Sequence, residues 1–139
     1  MNFIDSYENA LAGHLDHMNE NQKSCLALII LLDQFFRNLF RESPKAFAGD
    51  VKALKAANHA ISQGFDKNIN RVAKLFFYLP LEHSEITTDQ EQSLKLINAI
   101  NDKKISKAAT EHHKVIKRFG RFPHRNAVLG RENTPEEVI

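Results

Sequence analysis

The chain contains no tryptophan and a single cysteine. Cys25 alone permits neither an internal disulfide nor a Cys-based zinc site. It lies inside an apolar run, where a thiol reads as core rather than reactive, and a lone thiol of this kind suits a reducing compartment. The longest apolar run extends only from Cys25 to Leu32, far short of the ~20 residues that a bilayer demands. Met1-Asn2-Phe3-Ile4-Asp5 has no basic region followed by an apolar one, so it does not read as a signal peptide. A cytoplasmic location without membrane attachment is the expectation. There is no phosphate-cradling Gly loop, no nucleophile elbow, no His-Glu-x-x-His and no Cys nucleophile beside a base. These absences remove the common signatures of nucleotide hydrolysis, acyl transfer and zinc proteolysis, and no cofactor is named by the sequence.

What is present is ordinary in amount and uneven in placement. At 139 residues, 42% hydrophobic and 26% charged, the whole chain reads as one soluble domain with a core of its own. The net charge of +2 hides an asymmetry. From Lys103 to Arg131 nine Lys/Arg stand against one acid, Glu111, giving +8 there and −6 over the remainder. Such a basic end implies an anionic partner, an internal pairing with the acidic body, or simply a solvated face.

One phrase is said twice. Asp33-Gln34-Phe35-Phe36-Arg37-Asn38 is answered by Gly120-Arg121-Phe122-Pro123-His124-Arg125-Asn126. Each is followed by an Arg and a Ser/Thr-Pro start signal: Arg41 with Ser43-Pro44, and Arg131 with Thr134-Pro135. Packing rarely calls for an Arg-Asn pair, because both side chains are costly to bury without partners.

Helical periodicity dominates and nothing reads as a strand. Ile4, Tyr7, Leu11, Leu15 and Met18 predict one amphipathic helix of roughly four turns. Gln22 to Arg41 predicts a second helix, apolar nearly all round. Leu28, Leu32, Phe35 and Leu39 lie on one face and Leu26, Ile29 and Ile30 on the other, so this helix must be covered on both sides. Ser43-Pro44 is a helix start, with Phe47, Val51, Leu54 and Ile61 as the expected buried face and Gly64 as the stop. Asn68 to Leu79 predicts a short helix that Pro80 kinks or ends. Thr88-Asp89-Gln90-Glu91 reads as a capping box ahead of Leu94, Ile97 and Ile100. Asp102 to Phe119 predicts a helix with Ile105, Ala108, Ala109, Val115, Ile116 and Phe119 on one side and Lys103, Lys107, Lys114, Lys117 and Arg118 on the other. Gly120 ends it, and Thr134-Pro135-Glu136-Glu137 opens a last helix. The expected class is therefore all-α, six to seven helices joined by short connections as a bundle or as stacked antiparallel hairpins.

Three stretches carry a resemblance: Leu26 to Asn38, then Phe77-Tyr78-Leu79-Pro80-Leu81-Glu82-His83-Ser84-Glu85 with Asp89-Gln90-Glu91, then Phe119 to Arg131. In this order they resemble the bacterial domain-of-unknown-function family 924, over roughly residues 20 to 139. The resemblance implies a tetratricopeptide-like α–α superhelix and no settled activity. The chain departs from that family in two respects. Phe36 stands where the family usually has Pro, which would relax the helix end. The family's usual Trp-bearing N-terminal segment is also missing, which would remove or replace one wall of a cleft.

The candidate site residues come from these motifs, each with a structural reading beside the functional one. Arg37 would bind an anion in bidentate fashion with Asp33 steadying its guanidinium, or the two would form an internal ion pair; Asn38 points about 100° away from Arg37. His83, flanked by Glu82 and Glu85, would act as a base or a ligand, or would brace the loop. Arg121, His124, Arg125 and Asn126 gather many donors in a rigid turn. They would contact a ligand, or would neutralise Asp33, Glu82 and Glu85. His112 reads as a hydrogen-bonded core histidine, and His14 and His17 as surface. The lysine face lacks the interleaved aromatics of a nucleic-acid surface, which argues against that partner.

Two functions follow. One is a cleft for a small anionic molecule, with Arg37, Arg121 and Arg125 supplying charge and His83 or His124 a proton. The other is a tetratricopeptide-like module that grips an acidic or C-terminal peptide, the motifs serving as clasps. Binding is favoured over catalysis because neither a nucleophile nor a metal set is assured.

Overall fold

The structure, a computed structural model, describes residues 3–138, with backbone alone for Phe3 and Ile4. Among the described residues every regular element is helical. α1 (Phe3–Leu11) is followed by a 3₁₀ turn (Asp16–Glu20), then by a continuous helical rod made of α2 (Gln22–Ile29), a π-helical turn (Ile30–Phe35) and α3 (Phe36–Leu39). A 3₁₀ turn (Pro44–Phe47) leads into α4 (Asp50–Ser62), then α5 (Arg71–Glu82), α6 (Thr87–Asn98) and α7 (Lys103–Phe119). A 3₁₀ turn (Pro123–Arg125) and α8 (Asn126–Leu129) close the sequence of elements. No helix is long and apolar enough to cross a membrane among the described residues.

Local chemistry sets most of the boundaries. Asn21 caps α2 by accepting the Ser24 amide at 3.0 Å, Asn70 caps α5 through Ala73 N at 2.9 Å, and Asp102 caps α7 through Lys104 N at 3.0 Å. Gly64 and Gly120 terminate α4 and α7 with φ of +74° and +71°, a conformation that costs a Cβ-bearing residue.

The helical rod lies between two apolar clusters. Cys25 and Ile29 join Ala56, Ala57, Ala60, Phe77, Tyr78, Ile97, Ile100 and Ala109 on one side. Leu28 and Leu32 join Ala10 and Ala53 on the other, under Leu11, Leu15 and Met18. The rod thus has the two covered faces that its all-round apolarity demands, except that Ile30 and Leu39 are partly open at 37% and 47%.

Several boundaries and faces differ from the sequence expectations. α1 stops at Leu11 because Gly13 turns left-handed at φ +86°, and the Leu15–Met18 part of its stripe belongs to the turn beyond it; the side chain of Ile4 lies outside the described residues. Ser43 does cap a helical start, through Lys45 N at 3.2 Å, but that start is a separate 3₁₀ turn. The buried face of α4 is Ala53, Ala56, Ala57 and Ala60, and Val51 is 81% exposed. Small side chains win here because α4 approaches the rod too closely for large ones. A Cβ on Gly49 would overlap the carbonyl oxygen of Leu32.

α5 continues through Pro80 to Glu82. Pro80 stands in the last turn, so only the bond to the Phe76 carbonyl is forgone, and the His83 amide still reaches Leu79 O at 2.9 Å. α6 begins at Thr87 without a capping box at Thr88; instead Ser84 Oγ accepts the Ile86 amide and donates to Asp89 at 2.7 Å. Residues 135–138 form a turn rather than a last helix.

Candidate functional site

The π turn carries the first site residue. A π turn is an insertion into an α-helix that is frequent at functional sites, and here it directs Asp33 inward, where the residue is 1% exposed. The carboxylate is fully partnered. Oδ1 accepts from His83 Nδ1 at 2.8 Å and Arg37 Nη1 at 3.2 Å, and Oδ2 accepts from Gln34 Nε2 at 2.6 Å. Burial alone would push its pKa up. The His83 hydrogen bond, the charges of His83 and Arg37, and the Gln34 bond outweigh burial and hold it below the ordinary carboxylate value.

Of the two readings of Arg37, anion clamp or internal ion pair, its contacts fit the ion pair. Its Nη1 and Nη2 meet both oxygens of Asp50 at 2.8 and 3.0 Å, and Nη1 also donates to the Asp33 carbonyl at 2.7 Å. This bidentate fork is the strong geometry for a guanidinium and leaves little of it free. The sequence candidates do not include Asp50, which opens α4 six residues beyond Pro44. It reaches Arg37 because Gly49 lets the head of α4 settle on the π turn. Asn38 is exposed and stands apart from this cluster.

His83 caps the end of α5. Its Nδ1–H points to a carboxylate, which can only accept, so the neutral ring keeps its proton on Nδ1 and leaves Nε2 as a base. Nε2 makes no hydrogen bond among the described residues, and the side chain is 15% exposed. The turn that holds it is braced by buried Gln90, which donates to the carbonyls of Glu82 at 2.6 Å and Ser84 at 2.7 Å. The capping-box pattern places Gln90 in a helix start and does not disclose this brace.

Arg125 arrives from the second copy of the repeated phrase. Its guanidinium carbon lies 4.5 Å from the centre of the Phe47 ring and 4.6 Å from that of Phe122, a sandwich that favours a planar cation. Nη2 donates to the His83 carbonyl at 2.9 Å, and Nη1 is 3.9 Å from Asp50 Oδ2, beyond hydrogen-bond reach. Nε is buried with no partner. Burial, then the charge of Arg37, push its pKa below the usual guanidinium value despite Asp50 and Glu85.

The rest of that motif goes elsewhere. Arg121 grips Glu137 through Nε at 2.9 Å and Nη2 at 2.7 Å, and Asn126 donates to Glu137 and Asn133. Arg131 forms a fork with Glu85 at 2.9 and 3.1 Å, and Glu85 also accepts the Phe122 amide. His124 is exposed, with its ring beside Phe122. Its pKa is lowered by desolvation of the ring and by the charge of Arg125. Arg121, His124 and Asn126 therefore stand outside the Asp33–His83 cluster. Three of the nine cations of the basic end, Arg121, Arg125 and Arg131, pair internally, while Arg118 and the lysines of α7 face solvent.

Glu82 turns the other way, onto the groove between α5 and α7, with His112 Nδ1 3.7 Å away. Burial raises its pKa, and the charges of His112 and His83 only partly oppose that. His112 is 35% exposed and bonded to the Ala108 carbonyl at 2.8 Å, at the rim of the core rather than within it.

A cavity of about 260 Å³ opens where α4, the end of α5 and the 3₁₀ turn Pro123–Arg125 meet. Asp50, His83, Ser84, Glu85 and Arg125 give it polar groups; Phe47, Val51, Leu54, Pro80, Ile86 and Leu129 give it apolar walls. An apolar pocket with a few convergent polar groups is the usual form of a small-molecule site. Among the described residues no group of three or more His, Cys, Asp or Glu could hold a metal ion.

The profile of a family described as "Bacterial protein of unknown function (DUF924)" matches residues 1–139. The chain belongs to this family. A solved structure, that of a protein of unknown function from Agrobacterium tumefaciens, is similar to this DUF924 chain at 41% identity with a TM-score of 0.92. The similarity covers 98% of the present chain and 77% of the Agrobacterium chain. No curated protein matches this DUF924 member. The family assignment therefore fixes kinship and architecture and leaves the chemistry to the site itself.

Proposed function

We propose that the cavity between α4 and the α5–α6 turn binds a small anionic molecule, with Arg125 as its cation and the Asp33–His83 pair as its proton-handling group. The observation that carries this reading is the state of Arg125. Its Nε is buried without a partner and its Nη1 makes no hydrogen bond, while the cavity beside it also receives His83. Nε has no surface open to the cavity, so the donor that a bound anion would meet is Nη1, on a guanidinium that no carboxylate grips in a fork. Asp33 fixes the imidazole and leaves Nε2 unpartnered on a residue of the same cavity. In this reading Arg37 and Asp50 hold the walls together, Glu85 and Arg131 secure the third motif, and the protein works in the cytoplasm.

A thermal-shift screen of anionic metabolites tests it, since a ligand stabilises the folded state according to its occupancy. The expected result is a ligand-induced shift in the wild-type chain that is lost in Arg125→Ala, checked as folded by circular dichroism. If no anionic compound shifts the melting temperature, the reading fails.

A second reading is supported by the exposure of Val51 and Ile86, 81% and 57%, at the same cavity. There the helices form a tetratricopeptide-like superhelix, and the apolar rim grips an acidic or C-terminal peptide. Peptide binding that survives Arg125→Ala would favour this reading over the first.

A further inference from the structure

Resting on the anionic-ligand reading, we infer that the ligand of this cavity is a singly charged acid with a medium-chain or aryl apolar body, and not a phosphate-rich metabolite.

Charge sets the first limit. The cations around the cavity are Arg37, Arg125 and Arg131, and the carboxylates are Asp33, Asp50 and Glu85. Arg37 is engaged by both aspartates and Arg131 by Glu85. Arg125 is held by no such fork, its Nη1 standing 3.9 Å from Asp50 without a hydrogen bond. The three cations and three carboxylates balance, so one bound negative charge is already the most that this surround can take, and it must face Arg125, the cation that is paired most loosely. A second charge would have to sit in a partly buried place with no cation left for it, which is the expensive arrangement. Polyphosphate sites are built differently, from Gly-rich loops or several free cations, and this cavity has neither.

Its walls set the second limit. Beyond the Arg125 end, Phe47, Leu54, Pro80 and Leu129 present carbon to the cavity, with Val51 and Ile86 at its exposed edge. Large exposed aliphatic residues converging on one opening offer burial to an apolar ligand rather than hydrogen bonds to a sugar or base. Size sets the third. At about 260 Å³ the cavity lies at the small end of ligand pockets, which run from ~300 to ~1,000 Å³, and suits a medium-chain or aryl carboxylate.

The test is isothermal titration of the full chain with butanoate, hexanoate and octanoate, beside octanamide, inorganic phosphate and pyrophosphate. Affinity is expected to rise about fourfold per added methylene and to fall for octanamide. Val51→Asp and Ile86→Asp place a negative charge at exposed edge positions that the fold tolerates, and each is expected to weaken octanoate about threefold. Phosphate or pyrophosphate binding without any chain-length dependence would overturn this inference and leave the anionic reading standing. Octanamide binding as tightly as octanoate would overturn both. So would the absence of binding by every probe.

Discussion

His83 and Asp33, fifty residues apart in sequence, are joined from Nδ1 to Oδ1 at 2.8 Å. The bond unites the end of α5 with the π turn of the central rod and orients the imidazole. Asp33 is shared further with Arg37, so one buried carboxylate organises a histidine and an arginine from two directions.

Replacing Asp33 with Asn keeps the shape and removes the charge. Breaking a buried charge pair costs about 3–5 kcal/mol, and the amide's residual bonding should hold the loss to the lower part of that range. The sign with pH follows from the lowered folded-state pKa. The contribution of Asp33 is present above the unfolded carboxylate value, ~3.9, and fades as pH falls from there through the folded value. Urea denaturation at several pH values should show Asp33→Asn well below wild type at pH 7, with the gap narrowing in acid. A constant gap would count against this role.

Gly49→Ala tests the close approach of α4 to the rod. With φ at −86°, alanine meets no backbone strain at this position, and by unfolded-state entropy alone it would stabilise by about 0.4–1 kcal/mol. The overlap of a Cβ with the Leu32 carbonyl reverses that, with a loss of about 1–3 kcal/mol as in other overpacked sites. Because the shift would move Asp50 from Arg37, ligand-induced stabilisation should weaken too. A more stable Gly49→Ala would refute the close contact.

These two positions also mark what the sequence could and could not reveal. The all-helical class, the doubly covered rod and the stop at Gly120 were legible, because periodicity and capping are local. The repeated and flanked polar motifs lead to the expectation of one shared cleft. But the bond of Asp33 to His83 and the sandwich of Arg125 between Phe47 and Phe122 were not legible, because which atoms pair depends on how the elements pack. The π turn was invisible for the same reason: its residues, Ile30 to Phe35, satisfy an ordinary helical pattern. The buried face of α4 was misassigned because hydrophobicity ranks Val51 above Ala53, whereas the spacing of the two helices selects for smallness. Pro80 misled in the opposite direction, since in a last turn it breaks almost nothing. Arg121 and Asn126 shared their motif with Arg125 but fold into the C-terminal clasp, a division that spacing alone does not encode.

Glu82→Gln should stabilise the protein at neutral pH. Burial raises the folded-state pKa of Glu82, so the folded chain holds that proton more tightly than the unfolded one. Stability is then lost as pH rises from the unfolded value, ~4.3, through the folded value, and the neutral amide escapes this loss. Thermal melts of the two proteins should coincide near pH 4 and separate by pH 7, with Glu82→Gln melting higher. Coincident melts at both pH values would mean that His112 and His83 fully compensate the buried charge.

The C-terminal clasp makes a separate prediction. Glu137 accepts from Arg121, from Asn126 and from the Thr134 amide at 2.8 Å, which together bring its pKa to about 2. A pKa lowered this far contributes stability above the unfolded value of ~4.3 and loses it as pH falls toward 2. Glu137→Gln removes the charge that Arg121 grips while leaving Arg131 on Glu85 and Arg125 between its two rings. Amide hydrogen exchange across residues 131–138 should therefore quicken in Glu137→Gln at pH 7, while the amides of α5 and α6 keep their protection, because local opening costs less than global unfolding. Wild type in acid should lose protection in this segment as well, together with the wider loss expected there from Asp33. Equal loss of protection in α5 of the variant at pH 7 would mean that the clasp supports the whole fold, and that the third motif cannot be divided into a structural half and a cavity half.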